Sequence, residues 1–278
     1  MNLDARVTPL RDGIAARRLE GLVPAEVYLD PKAMSCAVAA AGIHRAPDLG
    51  SEQMDQLLFG ERFEVLEEEG AFVLGQARRD GYVGYVEAAR LGPVTPSPTH
   101  RVAALRTYAF EGPSIKSRAG ALLSINSLVC VEAEEGRLAK AVGAGWLPVE
   151  HLAPIGVFED DPAAVAERFV GAPYLWGGRE SLGLDCSGLV QQALFACGLA
   201  CPRDTDQQQA LGRQIGRAEF GRNDLVFWKG HVAMGLDGER IVHANGHHMA
   251  TVVESLEAAI ARIAAAGYGE PTAFRRVL

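Results

Sequence analysis

The sequence predicts an α+β protein in which two small all-β barrels precede a unit of helices and antiparallel strands. Three observations carry that prediction. Two stretches, LLFGERFEVLEEEGAFVLGQARRDGYVGYVEAARL (57–91) and LLSINSLVCVEAEEGRLAKAVGAGWLPVEHL (122–152), repeat one pattern. Each runs apolar strand, acidic turn with glycine, strand, then Gly-aromatic, which is the signature of short barrel strands. After 158 the spacing changes to helical, and then to DLVFW, HVAMGL and ERIVHA, three short strands in a row.

The domain boundaries follow composition. Residues 1–35 read as an N-terminal extension, 36–93 as the first barrel, 99–154 as the second and 158–278 as the mixed unit. Three prolines in LGPVTPSPTH (91–100) mark one linker, and HLAPIGVFEDDP (151–162) marks the next. Tyr85 and Trp146 read as core aromatics of their barrels. DDPAAVAERFVG (160–171) has the acidic start and early proline of a helix, and GLVQQALFACG follows with Leu189, Val190, Ala193, Leu194 and Cys197 on one face.

Charge and cysteine usage narrow the function classes. A formal net charge of −8, with no basic run, argues against nucleic acid as a partner. No apolar run approaches the roughly 20 residues of a membrane span, and the charged start MNLDARVTPLRDG lacks a signal-peptide core, so the expected location is cytoplasmic, with no membrane partner. Five scattered cysteines give no disulfide framework, and Cys197 and Cys201 lack a second Cys/His pair for zinc. His247 and His248 would point apart in extended chain and do not read as a metal pair. No metal or other cofactor is expected.

Cys186, in GLDCSGLVQQALFACG (183–198), is the candidate for chemistry. It precedes the apolar stripe and sits near N1 of the helix, where free N–H groups and the helix dipole favour a thiolate. Small neighbours, Ser187 and Gly188, leave it approachable. On that ground it is expected to be the first cysteine alkylated. A nucleophilic thiol needs a base, and His231 and His243 flank a turn at Leu236-Asp237-Gly238. A two-residue turn would send them to opposite faces. A three-residue loop with a left-handed Gly238 would set them directly opposite on one face, as a relay behind Cys186.

With these parts in place, the chain resembles the NlpC-type cysteine peptidases, papain-like hydrolases of bacterial cell-wall peptides. The resemblance lies in GAPYLWGG, LDCSGLVQ, CPRDTDQQ, DLVFW, HVAMGL and IVHANG, in that order. The paired endings GYVGYV and GWLPVEHL resemble bacterial SH3-like domains, and their place before the catalytic unit resembles the cytoplasmic branch that recycles murein peptides. The resemblance implies a papain-like C-terminal domain behind two SH3-like barrels. It implies Cys186 as nucleophile, His231 as base, His243 as third polar residue and Tyr174 beside the oxyanion with the Cys186 N–H. The implied reaction is cleavage after D-Glu in L-Ala-γ-D-Glu-diamino acid peptides. Asp185 would then face the substrate amine, closed off by Glu61 and Tyr82 of the first barrel. Arg203, Ser187 and Thr205 are the candidates for the D-Glu carboxylate, and Trp176 is a wall residue. An amidase or acyltransferase acting on another amide, and a non-catalytic wall-binding protein, are the alternatives.

Overall fold

The structure, a computed structural model, describes residues 3–278, which divide into a unit ending at Ile155 and a unit beginning at Gly156. The first unit opens with a short sheet in which Ile14–Ala16 pairs with Leu10–Arg11 and Val27–Leu29. A seven-stranded sheet follows, with Arg62–Glu69, Phe72–Ala77 and Val83–Glu87 as its meander. Lys32–Cys36, inside the stretch expected to be an extension, already belongs to this sheet. Its core gathers Ile43, Leu57, Phe63, Tyr82 and Val86.

The repeat pattern reappears in the next sheets. Val131–Glu135, Leu138–Ala141 and Gly145–Pro148 form the second meander. Gly70 and Gly136 hold corresponding hairpin turns with φ of 63° and 60°, a backbone state that a β-carbon disfavours. Tyr85 is buried as expected, but Trp146 is only half-buried, because strand alternation turns Leu147 into the core instead.

The second unit is built on a six-stranded antiparallel sheet. Its order is Arg213–Gln214, Ala273–Arg276, Leu225–Trp228, His231–Gly235, Arg240–Asn245, Ala250–Ser255. Helix α1 (Pro162–Glu167) starts at Asp161, whose carboxylate accepts the Ala164 N–H at 3.3 Å, with proline at its first turn. Helix α2 (Cys186–Ala196) packs on α1 and on the two strands that carry His231 and His243. All its residues are buried, Gln191 and Gln192 included, so the expected one-sided stripe is instead a helix enclosed all round. Cys197 is the half-buried C-cap and not a core residue. Helices α3 (Thr205–Gln208) and α4 (Leu256–Ala265) follow. Leu256, Ala259, Ile260 and Ile263 of α4 pack against Val226, Trp228, Ala233 and Ile241 of the sheet. Among the described residues no helix is long and apolar enough to cross a membrane.

Candidate active site

Cys186 is the first residue of α2, and its N–H is one that an α-helix leaves without an intrahelical acceptor. Asp185 is the N-cap and accepts the Gly188 N–H at 2.8 Å. Gly188 is required there: a β-carbon would come within 2.3 Å of the Gly178 carbonyl oxygen, so the 175–179 loop lies directly on the start of α2. Tyr174 directly precedes this loop, and its N–H donates to Met249 O at 3.0 Å. The backbone N–H groups of Val232, next in chain to His231, and of Ser187 favour the charged form of the Cys186 sulfur.

The histidine strands meet by a register that differs from the expected one. Leu236 N–H donates to Arg240 O at 2.8 Å, which makes the loop Asp237-Gly238-Glu239 rather than Leu236-Asp237-Gly238. Met234 therefore lies opposite Val242, and His231 and His243 are diagonal neighbours on one face, not directly opposed. Gly238 is not left-handed. The Asp237 carboxylate accepts the N–H groups of Glu239 (2.8 Å) and Arg240 (2.7 Å) and closes the turn without it. Gly238→Ala is accordingly expected to leave kcat/KM and Tm near wild type, a result that a left-handed Gly238 would forbid; thermal melts and a rate assay check it.

The two histidines do meet. His231 Nε2 and His243 Nδ1 are 2.8 Å apart, and His243 Nε2 lies 2.7 Å from Glu254 Oε1. Glu254, in Ala250–Ser255, pairs onward with Arg262 of α4. Burial opposes ionisation of Glu254, but hydrogen bonds from His243 and Arg262 outweigh it and hold its pKa down to about 2. An ionised Glu254 can only accept, so His243 carries its proton on Nε2 and presents the Nδ1 lone pair. His231 must then donate from Nε2, which leaves Nδ1 as the basic nitrogen. Glu254 was invisible in the sequence because nothing marked 250–255 as the strand beside His243. Once His243 pairs with Val252, alternation puts Glu254 on its face.

Burial also decides the resting protonation. It pushes the Cys186 thiol up to about 12, reinforced by Asp185 and opposed by the Val232 N–H. It pushes His231 down to about 3, with help from His243, and lowers His243 although Glu254 opposes this. Burial of the site thus works against the thiolate expected at the helix start, and favours neutral thiol and neutral imidazole. Tyr174 keeps its hydroxyl proton, since burial and the neighbouring Cys186 and Asp185 raise its pKa well above the ordinary value. That makes it a hydrogen-bond donor near the sulfur.

The expected charge partners are engaged with one another. Arg203 binds Asp185 in a buried two-point pair of 3.0 and 2.7 Å, and its Nη1 also donates to Ser187 Oγ at 2.8 Å. Asp185 further accepts the Gly177 N–H at 2.9 Å. These contacts pair the two charges with each other inside the catalytic unit. Removing one member would strand a buried charge at a cost of about 3–5 kcal/mol. Thr205 begins α3, which Gln208 fastens to the Ser187 carbonyl at 3.0 Å. Trp176 is exposed and lines the cavity beside His231.

Glu61 and Tyr82 lie in the first unit. The Glu61 carboxylate accepts the Leu58 N–H at 3.0 Å and pairs with Arg79 at 3.3 Å, while Tyr82 belongs to the barrel core. Both side chains thus have partners within the first unit, where Glu61 also lines a pocket with Arg62 and Arg79. His247 and His248 sit in a turn, not extended chain, and their rings meet edge-on at 4.7 Å. Among the described residues no group of three His, Cys, Asp or Glu side chains could hold a metal ion.

Comparison with known proteins places this geometry. The NlpC/P60 family profile matches residues 171–264, and the bacterial dipeptidyl-peptidase Sh3 domain profile matches 43–91. The gamma-D-glutamyl-L-lysine dipeptidyl-peptidase of Bacillus subtilis (strain 168) is 28% identical over 210 residues, covering 68% of this chain and 71% of that protein. Dipeptidyl-peptidase 6 of Lysinibacillus sphaericus is 25% identical over 229 residues, covering 74% and 84%. The crystal structure of an NlpC/P60 family protein from Bacillus cereus ATCC 10987 superposes with a TM-score of 0.77 at 19% identity, over 89% of this chain and 100% of that one. The fold is that α+β architecture with SH3-like barrel strands ahead of the catalytic unit.

Proposed function

We infer, for a chain that is an NlpC/P60 cysteine peptidase with a bacterial SH3 domain ahead of the catalytic unit, that the substrate is a free murein peptide and the scissile bond joins γ-D-Glu to a diamino acid. The observation that carries this is the His231–His243 pair, with Cys186 at the start of α2, inside the NlpC/P60 match. The B. subtilis relative's name, a gamma-D-glutamyl-L-lysine dipeptidyl-peptidase, supplies the bond. Recycling of detached peptides in the cytoplasm is the setting proposed, on the resemblance to the branch in which SH3-like domains precede the enzyme.

Each step uses a group already placed. The Cys186 sulfur attacks the γ-carbonyl carbon as His231 Nδ1 takes the thiol proton. The Cys186 N–H and the Tyr174 hydroxyl hold the tetrahedral oxyanion. Collapse expels the diamino acid, whose amine takes the proton from His231. Water, deprotonated by His231, then attacks the thioester and releases L-Ala-γ-D-Glu and the free thiol. Glu254 is the anion that favours the imidazolium formed in between.

The test is incubation with L-Ala-γ-D-Glu-L-Lys and mass spectrometry of the products. L-Ala-γ-D-Glu and free lysine are expected. Absence of cleavage, or cleavage between L-Ala and D-Glu, would reject the assigned bond.

A further inference from the structure

His231 forms one wall of a cavity of about 640 Å³ within the catalytic unit, shared with Trp176, Trp228, Lys229, Asn245 and Arg262. No acidic side chain lines it. Three of its lining residues hold buried N–H donors that meet no protein acceptor: Trp228 Nε1, Asn245 Nδ2 and Arg262 Nε. The orientation of Asn245 is settled by its oxygen, which accepts the His248 backbone N–H at 2.8 Å. A backbone N–H can only donate, so the amide NH₂ is the end left over. Arg262 spends its Nη2 on Glu254 and keeps Nε. Lys229, at the tip of the Trp228–His231 hairpin, adds an exposed ammonium.

Buried donors without acceptors are rare in folded proteins, and three around one cavity call for a group made of acceptors. A carboxylate is such a group: two oxygens, about four lone-pair sites and a negative charge suited to Lys229 and Arg262. The cavity borders His231, which hands its proton to the departing amine, so it lies on the leaving-group side of the scissile bond.

We propose that this cavity binds the α-carboxylate of the diamino acid expelled from the γ-D-glutamyl bond, and so selects peptides that end there. The proposal rests on the bond assignment above. Trp176 supplies an apolar wall for the side-chain methylenes next to that carboxylate.

Wild-type enzyme with L-Ala-γ-D-Glu-L-Lys and with its C-terminal carboxamide tests it. Amidation removes the charge and should lower kcat/KM by about tenfold to a hundredfold, the usual scale for losing one charged hydrogen-bonded contact. Lys229→Glu, at an exposed turn that tolerates substitution, should slow cleavage of the acid and spare the amide. Trp228→Phe keeps the ring's packing, removes one donor and should narrow the acid-to-amide ratio. Equal cleavage of acid and amide by wild type, or an unchanged ratio in both variants, would overturn the subsite while leaving the bond assignment intact. Cleavage of neither peptide would overturn both.

Discussion

Cys186→Ala is expected to lower kcat/KM on L-Ala-γ-D-Glu-L-Lys by about 10⁶-fold with the fold retained, since the sulfur is the atom proposed to bond to substrate. His231→Ala should cost nearly as much, and the double variant no more than either single one, because the two act as a unit. Cys130→Ala should be close to neutral. The buried thiol also sets the alkylation order: with its pKa pushed up to about 12, Cys186 should react slowly with iodoacetamide at pH 7, behind half-buried Cys130, and faster as pH rises. Peptide mapping after timed alkylation reads this directly. Prompt labelling of Cys186 at neutral pH, ahead of Cys130, would mean that the site holds a resting thiolate after all.

Glu254→Ala should reduce kcat/KM by about 10²- to 10⁴-fold, the scale of losing the group that fixes a catalytic histidine's tautomer. Without the Glu254 acceptor, His243 no longer has to protonate Nε2, and the 2.8 Å contact to His231 no longer selects Nδ1 as the base. Glu254→Gln should retain more activity, because an amide oxygen still accepts from His243. Both variants should move the acid limb of the kcat/KM profile the same way. Burial holds His231 well below the ordinary histidine value and Glu254 pulls it part of the way back, so removing the anion lowers that pKa further and extends activity to more acid pH. An acid limb at the same pH in wild type and both variants would reduce Glu254 to packing.

The parts legible in the sequence were those with short-range signatures. Cys186 stands at a helix start marked by an N-cap aspartate and two small residues, and the histidines flank an acidic glycine turn. The repeat of acidic hairpin turns exposed the paired meanders. Long-range pairing was not legible. Asp185 and Arg203 are 18 residues apart in chain, and only the folded loop reveals that they pair with each other. The contacts of Glu61 with Leu58 and Arg79 were likewise not legible. The turn at Gly238 was misjudged because a side chain, Asp237, does work that was ascribed to a left-handed glycine. The thiolate expectation meets a related obstacle: a helix dipole can be read from sequence position, but the burial that opposes it cannot.

Rapid-quench mass spectrometry with L-Ala-γ-D-Glu-L-Lys tests most directly whether Cys186 carries the dipeptide during turnover. In acid-quenched samples, the peptic peptide containing Cys186 should gain the mass of an L-Ala-γ-D-glutamyl thioester within the first turnover, and lose it on incubation with hydroxylamine. Product release with no such adduct on Cys186, or an adduct on Cys130 or Cys201, would contradict the assignment.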